Sequence, residues 1–221
     1  MKNANDKPKP KIPKNQYEAP PAPQTIKRMR HRKLTSIDFE TGKSTFQEPC
    51  ILSNDPSYTA WGWVIIDGST DKIIKTGCIK TKGEGKKRRI RKGDEDVQRT
   101  GEIIWILLGL IKRYNVAYIL TELPHGSQNA MAAKFLGAQM AILLTLSITL
   151  GIGIEWYSEG DAKKCALGKI SATKKEMVDA MDKIYEVTWT GIKYKDEAVA
   201  DALAIHNVAS KESSTLKLIK R

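Results

Sequence analysis

Three carboxylates in this chain stand where strands and a helix could bring them together. Asp55 closes the apolar run of "CILSND" and is followed at once by Pro56 and Ser57. Glu122 closes "VAYILTE", a short run with few polar residues. Asp201 lies in "DEAVADALAIHN", where Ala198, Ala200, Ala202 and Ala204 would let a helix approach a sheet closely. If the strands ending in Asp55 and Glu122 are parallel, their carboxyl ends share one sheet edge, the edge at which open α/β sheets place ligands. Converging carboxylates repel one another, and a cluster of hard oxygens suits Mg²⁺, with Mn²⁺ able to substitute. Two such ions can activate a water and stabilise the leaving oxygen in phosphodiester hydrolysis. Taken singly, each acid fits a cap, a turn or a surface position equally well, since Asp-Pro by itself opens a turn. The metal reading rests on the three acids together, in a basic protein.

The charge balance suits either a polyanionic partner or a soluble protein with a basic tail. The 221 residues carry 37 Lys and Arg against 25 Asp and Glu, a net charge of +12. Such an excess favours nucleic acid through counterion release. The chain is long enough for one good-sized core. Cys50, Cys78 and Cys165 are odd in number and form no CxxC pair. That pattern fits buried thiols in a reducing, cytoplasmic setting rather than a secreted disulfide framework. The first apolar strand begins only near Ile51, so no secretory apolar segment is expected at the N-terminus. The longest apolar stretch, Met140 to Ile154, is shorter than the ~18 residues of a membrane span. It reads as a buried helix running into a buried strand, with no membrane partner.

The elements that must position the acids follow from periodicity. Strands are expected at Ile51–Asn54, Gly62–Asp67 and Ile73–Lys80, an antiparallel meander with "DGSTD" as its second turn. A basic loop, Lys82 to Gly93, precedes a helix with apolar residues at 103, 104, 107, 108 and 111. Val116–Glu122 suits a central parallel strand buried on both faces. A helix from Ser127 to about Ser147, a strand at Gly153–Tyr157, and helices at about Ser171–Tyr185 and Asp196–Ala209 complete the order. The fold class is α/β, a mixed sheet flanked by helices. Residues 1–45 are different in kind: proline-rich, without apolar period, and basic at Lys27–Lys33. They read as a disordered arm, either a nonspecific phosphate tether or a solvated tail. The globular domain is expected over 46–212, with a basic tail at 213–221.

With these elements in order, the chain resembles the RuvC-type Holliday junction resolvases, on the RNase H-like fold. "ILSNDPSYTAWGWVI" resembles the first strand and Asp-Pro turn of that family, and "TGCIKTK" its third strand. "YILTE" resembles the strand that ends in the catalytic glutamate, and "SQNAMAAKFLGAQMAILL" the helix after it. "AKKCALGKISATKKEMV" resembles the basic segment, and "AVADALAIHN" the helix that carries the last acids. The resemblance runs in order from about Ile51 to Ala209. It implies that Asp55, Glu122 and Asp201 are metal-binding acids. It implies that Lys163 and Lys174 lie near the scissile phosphate, where fixed positive charge stabilises the transition state. It also implies a homodimer acting on branched DNA, four-way junctions above all, with the apolar helix Ala130 to Ser147 in the interface.

Several positions depart from the family pattern. An acid is expected three residues before Asp201, where this chain has Ala198. Glu197, at i−4 and on the same helix face, is the expected substitute, ahead of Asp196. Ser57 stands where the family has glycine after Asp-Pro. "LPHGSQ" replaces the aromatic that follows the glutamate, leaving His125 to stack on a base or simply to be solvated. These departures and the long arm suggest a divergent member of phage or viral type. Two other readings compete. One is a noncatalytic DNA-binding or scaffold protein on the same fold, which the departure at Ala198 favours and retention of the other acids disfavours. The other is an RNA–DNA hybrid nuclease, which shares the acids but not the match after Glu122.

Overall fold

The computed structural model describes residues 48–83 and 91–219. The expected arm at 1–45 and residues 84–90 of the basic loop lie outside them. Five strands form one sheet: β1 (Cys50–Asp55), β2 (Trp61–Asp67), β3 (Ile73–Ile79), β4 (Val116–Glu122) and β5 (Gly153–Tyr157), in the order β3-β2-β1-β4-β5. The first three are antiparallel neighbours, while β1, β4 and β5 run parallel. Asp67 makes the β2–β3 turn, its Oδ1 accepting from the backbone N–H groups of Ser69 (3.0 Å) and Thr70 (2.8 Å). This is the carboxylate-stabilised turn that "DGST" encodes.

Helices cover both faces. They are α1 (Lys92–Arg113), α2 (Ala130–Leu150), α3 (Glu159–Leu167), α4 (Lys174–Ile184), α5 (Lys193–Glu212) and α6 (Ser214–Ile219). Strand alternation divides the core into two layers. Leu52, Ile65 and Ile119 pack with Leu107 and Leu110 of α1 and Ile142, Leu143 and Leu146 of α2. Ile51, Val64, Ile66, Tyr118 and Leu120 pack with Met177 and Met181 of α4 and the inner residues of α5. Side chains two residues apart on a strand share a face. Asp55 therefore belongs to the face of Ile51, and Glu122 to that of Tyr118 and Leu120. Both acids point to the layer that holds α5.

The α5 helix is central because it is small. Its residues from Ala198 to Ala209 are all buried. A Cβ added at Gly62 would lie 2.0 Å from the Ala198 carbonyl oxygen, so the helix backbone rests directly on β2. Gly62 is also the register partner of Asp55. This close crossing is what the glycine on one side and the alanine run on the other permit.

Three expectations need correction. An additional helix, α3, fills the segment between β5 and α4, where none was expected; nine residues carried too short a period to stand out. The expected tail from 213 is, through Ile219, the short helix α6, whose Leu216 is fully buried in the core. The helix read as buried, α2, is buried on one side only: Met140, Leu144 and Ile148 are exposed at four-residue spacing. By length and composition α2 could cross a membrane, yet its other face packs on the sheet.

Candidate active site

Asp55, Glu122 and Asp201 come from β1, β4 and α5 and stand close enough to act electrostatically on one another. Parallel pairing of β1 with β4 puts the first two at the same edge. A hydrogen bond from Ser53 Oγ to the Ala202 carbonyl (2.7 Å) brings α5 down beside them. Asp201 is buried, while Asp55 and Glu122 are half-buried.

The site is short of positive charge. Burial pushes the Asp55 carboxyl well above the ordinary carboxylate range, and repulsion from Asp201 and Glu122 adds to it. Glu122 is pushed up to about 7, first by burial, then by Glu159 and by Asp201. Burial also raises Asp201, although Lys174 pulls the other way. Lys174 forms an ion pair with Asp201 Oδ2. Burial would lower the Lys174 ammonium, but Asp201, Asp55 and Glu122 together outweigh it and the net shift is upward. Lys174 is the first residue of α4, held there by a capping box of Thr173 and Glu176. A cation at a helix N-terminus opposes the helix dipole. The carboxylates in front of it offset that cost.

Among the described residues, no three acid, histidine or cysteine side chains are placed to grip one ion as they stand. The donor set nonetheless fits a divalent cation. It consists of hard carboxylate oxygens, withdrawn from water and mutually repelling, a balance that a cation reverses.

No family model matches the chain. It is 25% identical over 169 residues to the crossover junction endodeoxyribonuclease RuvC of Chlorobium phaeobacteroides, spanning 73% of this chain and 86% of that protein. The RuvC of Magnetococcus marinus is 25% identical over 157 residues, 70% of this chain and 80% of its own. The chain is thus similar to RuvC resolvases over about seven-tenths of its length. Among solved structures, Thermus thermophilus RuvC in complex with a Holliday junction substrate superposes with a TM-score of 0.58 at 17% identity, covering 74% of this chain and 93% of that one. The yeast mitochondrial Holliday junction resolvase gives 0.54 at 12% identity, covering 79% and 83%. The fold is therefore RNase H-like, as expected.

Against that relationship the departures gain meaning. Ala198 is buried against Gly62, with its Cβ turned to the strand that neighbours Asp55. Glu197 instead stands 3.9 Å from Lys193. It is not among the charges that dominate at Asp55, Glu122 or Asp201. Asp196 is engaged in local structure, its Oδ1 accepting from Thr190 N (2.9 Å) and Thr190 Oγ1 (2.7 Å). Lys163 does face the site, acting on Glu122 and Asp201. The acid that sequence reasoning passed over is Glu159, the first residue of α3, which acts on all three carboxylates. The rule used for β1 and β4, that acids beyond the carboxyl end of a parallel strand are site candidates, applies equally to β5 and would have found it.

Proposed function

We propose that this protein is a divalent-cation-dependent, structure-selective DNA endonuclease that resolves four-way junctions or other branched DNA. The observation that carries the reading is the convergence of Asp55, Glu122 and Asp201 with Lys163 and Lys174 at one sheet edge of a RuvC-like fold. The three acids would hold Mg²⁺, or Mn²⁺ in its place; two ions are the arrangement in which both the attacking and the leaving oxygen are served. Bound there, the cation supplies an activated water and charge stabilisation at the phosphate. Lys174, fixed by Asp201 and by the α4 cap, sets a permanent positive charge beside the position the phosphate would occupy. Fixed charge of this kind needs no reorganisation as charge builds in the transition state. Lys163, paired with Glu159 in the free protein, would add a second positive charge once DNA is bound.

The active form is a homodimer, one site for each of two junction strands. The exposed Met140, Leu144 and Ile148 of α2 form an apolar stripe that a second copy of the chain would cover.

The test is cleavage of a synthetic four-way junction and of a matched linear duplex, with and without Mg²⁺. Junction-selective, Mg²⁺-dependent nicking is expected. Tight junction binding with no cleavage under any divalent cation would favour the noncatalytic reading, which the missing acid at Ala198 supports.

A further inference from the structure

The carboxyl end of β5 adds a pair of residues to the site. Tyr157, the last residue of β5, is the register partner of Glu122. Ser158 caps α3, its Oγ accepting from Asp161 N at 3.0 Å. The cap puts Glu159 in the first turn, beyond the same edge that carries Glu122. One turn on, Lys163 Nζ lies 2.6 Å from Glu159 Oε1. The Lys163 side chain is only 17% exposed and acts on Glu122 and Asp201, whereas Glu159 is 40% exposed. The free protein thus pairs an acid at the rim of its carboxylate cluster with a lysine of the same cluster.

We propose that Glu159 and Lys163 form an exchangeable latch. Without DNA, Lys163 holds Glu159. A DNA phosphate takes over the ammonium, and the released Glu159 joins Asp55, Glu122 and Asp201 as the fourth oxygen donor toward the cation, in place of the acid absent at Ala198. The inference rests on the divalent-cation reading of the site. The exchange is physically accessible because the Glu159 end of the pair is open to water, where an ion pair is worth little and a phosphate contact can replace it. Lys174 cannot play this part, since its partner Asp201 is buried and already within the cluster. The latch makes cation and DNA binding reinforce one another, by the same factor in each direction.

Two binding cycles on the full chain test this without turnover. In the first, Mn²⁺ is titrated calorimetrically into DNA-free protein. Lys163→Met should tighten Mn²⁺ binding about fivefold, the size of a modest ion pair, and that gain should vanish in a Glu159→Gln background. In the second, four-way-junction affinity is measured in EDTA. Glu159→Gln should tighten binding by a similar factor, and the gain should vanish in a Lys163→Met background. Gains that persist undiminished in the double variants would mean that the two side chains act independently through space, and the latch would be discarded. Asp55→Asn separates the two levels. If it binds Mn²⁺ as the unaltered protein does, the site reading itself fails. If it loses Mn²⁺ while both cycles are additive, only the latch fails.

Discussion

Ser53 Oγ donates a 2.7 Å hydrogen bond to the Ala202 carbonyl oxygen, across 149 residues of sequence. Ser53 lies two residues before Asp55 on the same face of β1, and Ala202 directly follows Asp201 on α5. This contact, with the Gly62–Ala198 crossing beside it, sets the spacing between two of the site's acids. Ser53→Ala should cost about 1 kcal/mol for a lost buried hydrogen bond. Because it loosens the register of Asp201, its effect on junction cleavage should exceed what the stability loss explains. Denaturant titration alongside initial cleavage rates checks both; unchanged cleavage would show that Gly62 and Ala198 alone seat the helix.

Gly62→Ala is the harsher test of that seat. The added Cβ would sit 2.0 Å from the Ala198 carbonyl oxygen, so α5 must lift off β2. Overpacking of this kind costs roughly 1–3 kcal/mol. The variant should melt lower and lose cleavage, and a melting temperature equal to that of the unaltered protein would contradict the close crossing.

Asp55→Asn, Glu122→Gln and Asp201→Asn should each abolish cleavage while leaving junction binding largely intact, since an amide keeps the shape but loses the charge. Asp55→Asn should in addition stabilise the metal-free protein, because it removes the cost of burying a carboxylate and, after that, its repulsion from Asp201 and Glu122. Thermal melts in EDTA read this directly, with a lower melting temperature as the contrary result.

Glu122 gives the metal-free protein a definite pH dependence. Its folded-state pKa, pushed up to about 7, lies above its ordinary value of 4.5, so the folded state binds the proton more tightly than the unfolded state does. Its contribution to stability is therefore complete below about pH 4.5 and is lost as pH rises through about 7. In EDTA, stability should fall across that window. Glu122→Gln should flatten the fall, and saturating Mg²⁺ should offset it by favouring the ionised form. Denaturation midpoints across the range, with and without Mg²⁺, decide the matter; a rising curve in EDTA would mean that the Glu122 carboxyl is neither withdrawn from water nor crowded by other acids.

Ile148 is the most exposed residue of the α2 stripe, at 73%. Leu144→Glu with Ile148→Glu should leave the fold intact, as neither side chain enters the core, yet shift sedimentation from dimer to monomer. Junction cleavage should fall with it, while binding to linear duplex persists. A monomeric unaltered protein at micromolar concentration would remove α2 from the assembly.

Which residues were available for chemistry, and which strands would carry them, was legible in the order of residue types alone. Val116–Glu122 and Gly153–Tyr157 were legible to the residue, because short β-rich runs bounded by turn residues leave little freedom. The reading of β1 and β4 as parallel strands already placed Asp55 and Glu122 at one sheet edge. The alanine run around Asp201 already announced a helix that packs closely. Which acids meet was set by how the elements cross. Glu197 shares a helix face with Asp201 and looked like the natural substitute for the missing acid; in the structure it lies 3.9 Å from Lys193 of its own helix. Glu159 is 37 residues from Glu122 and 42 from Asp201 along the chain. It reaches them because β5 adds in parallel to β4 and Ser158 starts a helix at that edge. Helical periodicity reports on neighbours within one element, whereas a charge cluster is made by the crossing of several. The crossing depends on where small side chains let backbones touch, and that contact has no local signature.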